Sequence, residues 1–181
     1  MENFDAIIIG GGPSGMFAGI YGYQKKLNLL LIEKQGFLGG TPLTYPDKPV
    51  YDFPCFSEIK AKDLINRLID QITFNTKTKI LTNTTIASYS YKNNVFEIVL
   101  SNNETITASN IIIASGNMIN IFKNLEINSN NRINVKINQE TNLSHIYAIG
   151  NVCYYQDKPS SMSTAIGEAT VAIRSIVNQK K

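Results

Sequence analysis

Unbroken apolar runs and helically spaced apolar positions divide this chain into elements before any motif is considered. Ala6-Ile7-Ile8-Ile9, Leu29-Leu30-Leu31-Ile32 and Ile111-Ile112-Ile113 are short continuous runs bounded by turn residues. Runs of that length suit parallel strands covered on both faces. An amphipathic segment between the first two predicts a helix. Lys60 to Phe74 predicts a second, with Leu64, Ile65, Leu68, Ile69 and Ile72 at helical spacing and a start around Lys60-Ala61-Lys62-Asp63. A third is predicted from Ser163 to Val177, with Ala165, Ile166, Ala169, Ala172, Ile173 and Ile176 along one face; Ser161 or Ser163 can cap it. Ile80 to Tyr91, Val95 to Leu100 and Thr105 to Ala108 read as an antiparallel meander, turned at Asn93-Asn94 and Asn102-Asn103. Short strands are expected at Ile133 to Ile137 and Ile146 to Ile149. The stretch from Gly36 to Pro54 is a loop rich in Gly, Pro and Tyr, and loops of that length inside a compact domain are usually functional. Strands alternating with helices place the chain in the α/β class.

Composition narrows the picture. A chain of 181 residues makes one domain, or one and a fragment, and 43% hydrophobic residues can build a real core. The net charge of +3 comes from scattered basic residues, which excludes a nucleic-acid footprint of basic stripe and interleaved aromatics. No apolar stretch is long enough to cross a bilayer, and residues 1–10 start acidic and run directly into the first strand, unlike a signal peptide. The two cysteines, Cys55 and Cys153, form no C-x-x-C pair, so a reduced, cytoplasmic chain is expected. No metal-ligand cluster and no nucleophile–base arrangement is visible.

The first apolar run feeds Gly10-Gly11-Gly12-Pro13-Ser14-Gly15, and the second closes on Glu33. Strand, G-x-G-x-x-G, helix, strand and acid, in that order, make a dinucleotide-binding βαβ unit. Gly10 allows the tight turn, Gly12 lets backbone N–H groups approach a pyrophosphate, and Gly15 removes a Cβ between helix and strand. The helix N-terminus then meets the phosphate charge. Glu33 stands where a carboxylate accepts both hydroxyls of an adenosine ribose and disfavours a 2′-phosphate, which selects FAD or NAD over NADP.

Four blocks together resemble the FAD domain of the two-dinucleotide-binding-domain flavoproteins, within them the thioredoxin-reductase-like ferredoxin (flavodoxin)–NADP reductases. They are Ile7 to Gly15 with Glu33; Gly39-Gly40 with Thr44 to Asp52; Ile111 to Gly116 with Phe122-Lys123; and Ile146 to Lys158. The resemblance implies a Rossmann-like FAD-binding domain: a parallel sheet with helices and a three-stranded antiparallel meander. It implies that Gly10, Gly12, Pro13, Ser14 and Gly15 receive the diphosphate, with Glu33 and Lys34 at the adenosine ribose and the backbone of Ile86 at adenine. It also implies that Gly40, Thr41, Ser115 and Gly116 line the site and that Tyr45 stacks on the isoalloxazine. Phe122 falls where the family has an aromatic near the flavin, and the helix starting near Ser163-Thr164 aims its positive end at the flavin pyrimidine edge. Gly150-Asn151 occupies the family's Gly-Asp position, and Asn keeps an acceptor but loses a charge-assisted bond.

The departures matter as much. Thr41 stands where the family has Gln, the loop to Tyr45 is one residue shorter, and the chain stops at Lys181 without the family's C-terminal extension. Between the family's Ala-x-Gly and Gly-Asp strands lies an NADPH-binding domain; here residues 117–142 take its place, joining a first FAD half (1–116) to a second (143–181). No second G-x-G-x-x-G is present, and thioredoxin reductase is disfavoured by the missing C-x-x-C. Cys55, after Pro54 near the expected flavin face, is read as a small buried hydrophobe ahead of a redox thiol, and Cys153 as packing. His145 is read as a solvated turn residue. The expected function is a flavin oxidoreductase with FAD as cofactor. Its electrons come from diffusing NAD(P)H, a partner subunit, or a ferredoxin or flavodoxin, and a homodimer is expected. The alternative is an FAD-binding module without turnover.

Overall fold

The computed structural model describes residues 1–118 and 122–180; residues 119–121 of the 117–142 connection lie outside the described residues. In chain order, β1 (Glu2–Ile9) leads through a glycine turn into α1 (Pro13–Gln24) and β2 (Leu29–Ile32). A 3₁₀ turn at Thr41–Thr44 and a small hairpin of β3 (Pro49–Val50) and β4 (Ile59–Lys60) precede α2 (Ala61–Asn75) and β5 (Lys79–Leu81). Then come β6 (Ile86–Lys92), β7 (Val95–Leu100), β8 (Thr105–Ile113), β9 (Ile133–Asn134), β10 (Ile146–Ala148), β11 (Cys153–Tyr154) and α3 (Met162–Gln179).

One seven-stranded sheet runs β5-β2-β1-β8-β7-β6, with β10 also paired to β8. β5, β2, β1, β8 and β10 are parallel, while β6, β7 and the first half of β8 form the antiparallel meander. β8 divides its second edge, giving Thr105–Ala108 to β7 and Ile111–Ile113 to β10. Residue alternation then builds two cores. Ala6, Ile8, Leu29, Leu31 and Ile112 face the helices, against Met16 and Ile20 of α1, Ile65 and Ile72 of α2, and Ala169 and Ile173 of α3. Ile7, Ile9, Leu30, Ile32 and Ile111 face the meander, against Phe96, Ile98 and Leu100. Both faces being covered explains why these strands read as unbroken apolar runs. Each of the Leu, Ile, Met and Phe side chains among them stabilises the fold by about 1.5–3 kcal/mol relative to exposure.

The structure redraws some sequence boundaries. The expected strand from Ile80 to Tyr91 is two: β5 joins the parallel sheet and β6 joins the meander. The break at Thr82–Thr85 has Asn83 at φ +51, the Thr84 hydroxyl donating to the Thr82 carbonyl, and the Thr84 N–H donating to the Glu33 carbonyl at 3.0 Å. Conversely, the segments expected at Thr105–Ala108 and Ile111–Ile113 are one strand. Asn110, between the two segments, is buried with its side-chain amide donating to the Asp5 carbonyl at 3.0 Å. Only Ile133–Asn134 of the strand expected at 133–137 forms, on β11, and Ile137 is fully exposed. The long loop contributes β3 to a hairpin whose other strand, β4, lies just beyond it, a pairing too short to register as periodicity. Of the two possible caps, Ser161 accepts the Thr164 N–H, while the Ser163 hydroxyl donates to the Asp52 carbonyl and ties α3 to that loop.

Candidate functional site

An open cleft of about 2170 Å³ runs past the C-terminal ends of β1, β2 and β8. That is the edge of a parallel sheet where α/β folds bind ligands. The turn after β1 is forced by its surroundings. Gly10 has φ +112, and a Cβ there would lie 2.4 Å from the Ala114 carbonyl oxygen of the neighbouring strand. Gly12 differs: it has φ −75, and a Cβ would meet only Gly40 Cα at 3.9 Å. The protein's own packing does not require glycine at this position.

Gly12 is also the N-cap of α1, and no side chain caps the helix. The first intrahelical bond runs from the Met16 N–H to the Gly12 carbonyl at 2.9 Å, so the preceding N–H groups are free to face an anion in the cleft. Beside them, Glu33 accepts the Gly11 N–H at 2.6 Å and the Gln35 N–H at 2.8 Å, one on each carboxylate oxygen. Those two bonds fix the carboxylate plane and leave lone pairs for two further donors.

Of the residues expected to hold a ligand, Gly10, Gly12, Pro13, Ser14, Glu33, Lys34, Gly40, Thr41, Tyr45, Ile86, Ser115, Gly116, Phe122, Gly150 and Asn151 all line this one cleft. Gly15 and Thr164 do not. Gly15 sits behind the turn, packed on the Gly10 backbone, and the Thr164 hydroxyl pairs with Ser161 Oγ at 2.9 Å. Met162 and Ala165 are the α3 side chains at the cleft. Phe122 is buried with its ring 4.5 Å from that of Tyr89, so packing already occupies much of its surface. Tyr45 is 67% exposed at the rim. Its loop is anchored through Ala61 N–H to Lys48 carbonyl and Lys62 N–H to Pro46 carbonyl bonds, both 2.9 Å, and through Asp47 paired with Lys62 and Lys60. The Lys62 hydrogen bond and charge hold the Asp47 carboxyl below the ordinary carboxylate value.

Cys55 does not lie in the core. It is exposed, at φ +73 in a turn closed by the Phe56 N–H on the Phe53 carbonyl, and this corrects its reading as a buried hydrophobe. His145 does occupy a turn, at φ +64, half-buried with Nδ1 3.4 Å from Asn110 Oδ1.

Behind Gly150 lies a cluster that sequence reasoning missed. Lys158 and Glu168 form an ion pair whose side chains are 5% and 3% exposed, in contact with Cys153. The available signal was Glu168 itself, an acid on the face of α3 that carries Ala165, Ala169 and Ala172. Burial, then the Glu168 charge, pushes the Cys153 thiol up to about 12. A neutral buried thiol contributes its stability in full below its ordinary value of 9.0, and that contribution is lost as pH rises toward about 12. Thiol titration at about pH 8 is accordingly expected to modify Cys55 alone in the native protein and both cysteines in denaturant. Rapid modification of both in the native state would show the cluster to be open.

The sequence profile of the family described as pyridine nucleotide-disulphide oxidoreductase matches residues 4–123 and 52–169. The chain belongs to that family. Among relatives of this pyridine nucleotide-disulphide oxidoreductase family member, a ferredoxin–NADP reductase of Malacoplasma penetrans is 42% identical over 63% of this chain and 37% of its own length. A ferredoxin–NADP reductase of Mycoplasmoides gallisepticum is 36% identical over 87% of this chain and 48% of its own. The chain thus spans half or less of the length of these curated relatives. The crystal structure of T. acidophilum thioredoxin reductase superposes with a TM-score of 0.84 over 99% of both chains at 13% identity, which establishes the fold.

FAD is the cofactor of this family. The cleft fits it: the space in front of Gly12, the uncapped start of α1 and the oriented Glu33 carboxylate match a diphosphate flanked by a ribose. Among the described residues no helix is long and apolar enough to cross a membrane.

Proposed function

We propose that the chain binds one FAD along this cleft and works as a ferredoxin–NADP reductase-like oxidoreductase reduced to its FAD domain, in the cytoplasm and as a homodimer. The observation that carries this reading is the alignment of Glu33, the uncapped N-terminus of α1, and Tyr45 along a single cleft. In this reading Glu33 takes the adenosine ribose, with Lys34 beside it, and the Ile86 backbone pairs with adenine. The free N–H groups at the start of α1 neutralise the diphosphate, which lies over the Gly10–Gly15 turn. Asn151 accepts a hydrogen bond from the ribitol, Gly40, Thr41, Ser115 and Gly116 close the walls, and Tyr45 stacks on the ring system and limits water access. The start of α3, where Met162 and Ala165 reach the cleft, lends its partial positive charge to the flavin pyrimidine edge. Bound flavin supplies hydride and one-electron chemistry.

Residues 117–142 stand where the family's NADPH-binding domain would be, so NADPH reaches the flavin by diffusion, or electrons arrive from a partner subunit or a ferredoxin or flavodoxin. Loss of a docking domain forfeits effective molarity. The expected result of anaerobic mixing with NADPH is slow bleaching of the yellow protein, with a rate linear in NADPH concentration and no plateau. A colourless protein that takes up no flavin would end the FAD reading. A yellow protein that does not bleach in minutes would favour the second reading, an FAD-binding module without turnover, toward which Asn151 in the acid's place already leans.

A further inference from the structure

We propose that the buried Lys158–Glu168 ion pair positions the cofactor by clamping the two peptide units that flank the Gly150 Cα, behind the cleft; this rests on the FAD reading given above. Neither side chain lines the cleft, so both act through the residues in front of them.

Both charges converge on the same turn. Glu168 Oε2 accepts the Gly150 N–H at 2.6 Å, and Lys158 Nζ donates to the Gly150 carbonyl at 2.8 Å. The ammonium's other contacts are Glu168 Oε1 and the Cys153 sulfur, the latter at 3.0 Å. An ammonium has three protons, and all three are used. The Gly150 residue is thus held at both its N–H and its C=O by opposite charges.

From the other side the turn is pressed on α1. Gly150 has φ +74, and a Cβ there would lie 2.6 Å from Ser14 Oγ. Ser14, Gly150 and Asn151 all line the cleft. A displacement of the Gly150 peptide therefore moves Asn151 and the surface that meets the start of α1 together. Stability alone does not account for the pair, because well-packed apolar side chains of similar volume serve a core as well as or better than a buried ion pair. The charges supply a directed grip on the two peptides at Gly150 that apolar packing lacks.

The test compares FAD affinity by calorimetry in flavin-free protein carrying two double substitutions. Lys158→Met with Glu168→Met removes both grips and keeps the volume. Lys158→Gln with Glu168→Gln removes the charges but keeps a donor and an acceptor. The expected result is FAD binding weakened by about tenfold or more in the methionine pair, a change of one decade or above in Kd. Its flavin-free Tm should stay within a few degrees of the parent. The glutamine pair should recover to within about threefold of the parent, since a neutral hydrogen bond retains roughly half the strength of a charged one. Parental affinity in the methionine pair, or equal loss in both pairs, would overturn the proposal. So would a Tm loss that accounts for the loss of binding. Should the methionine pair not fold, hydrogen exchange of the Gly150 amide in the parent decides: slow exchange without flavin is expected, and exchange at the rate of an open loop would overturn the clamp. A parent that binds no FAD would end the reading under Proposed function, while Gly150 exchange would still report on the grip itself.

Discussion

Gly15→Ala is expected to lower the unfolding temperature of the flavin-free protein by roughly 6–12 °C, from about 3 kcal/mol of overpacking at 2–4 °C per kcal/mol for a chain of this size. The cause is a contact with no soft partner. A Cβ on Gly15 would lie 1.9 Å from the Gly10 carbonyl oxygen and 3.3 Å from Ala114 Cβ. The obstacle is backbone, and it is locked on both sides: the Gly10 N–H donates to the Ile32 carbonyl and the Ala114 N–H to the Ile9 carbonyl, each at 2.8 Å. Relief requires α1 to lift from β1, which loosens Met16, Ala18 and Ile20 from the helix-side core. Thermal unfolding followed by circular dichroism reads the effect directly. A Tm within about 2 °C of the parent would mean a cost below roughly 1 kcal/mol, and so a helix–strand contact with slack in it.

That contact was legible in the residues because the G-x-G-x-x-G order ties each glycine to a separate steric task. The same holds for the long apolar runs, which became the sheet centre, and for Asn93-Asn94, whose φ values of +53 and +62 give the expected hairpin turn. Legibility failed where tertiary partners decide the outcome. Nothing in Ile80–Tyr91 says that Lys79–Leu81 pairs with β2 while Ile86–Lys92 pairs with β7, because alternation records which faces are buried and not which neighbour buries them. Thr105–Ala108 and Ile111–Ile113 join into one strand because the partner that lets Asn110 be buried between them, the Asp5 carbonyl, is far off in sequence.

The candidate site divides along the same line. Residues carried by the glycine turn and by strand ends, such as Gly12, Glu33 and Ser115, could be found because the chain delivers them locally. Thr164, expected at the cleft, does not reach it: Ser161 takes its N–H and pairs with its hydroxyl, and Met162 and Ala165 are the α3 residues that turn to the cleft. Lys158 and Glu168 were missed because a charged residue in sequence is presumed solvated, and only the fold reveals that each one's partner is the other. Cys55 failed for the opposite reason. Free cysteine behaves as a small, usually buried hydrophobe, while a turn at φ +73 carries this one to the surface.

Gly12→Val is expected to weaken FAD binding by about 100-fold or more while leaving the flavin-free fold nearly intact. The fold tolerates it because Gly12 sits in extended backbone, φ −75 and ψ −178, which β-branched residues adopt readily, and because a Cβ there meets nothing closer than 3.9 Å. The remaining cost is the poorer N-cap, about 1 kcal/mol, or some 2–4 °C in Tm. Binding is another matter. The side chain enters the space through which the diphosphate approaches the free N–H groups of α1. Hydrogen bonds to a charged group contribute about 1.5–3 kcal/mol each, so losing two of them corresponds to about two decades in Kd or more. Calorimetry with FAD and a parallel thermal scan give the two readouts. Gly15→Ala should move the Tm most and Gly12→Val the affinity most, and this crossing pattern separates a glycine required by packing from one required by a ligand. If Gly12→Val bound FAD as the parent does, the diphosphate would have to lie elsewhere than over the start of α1, and the assignment of the cleft would fall with it.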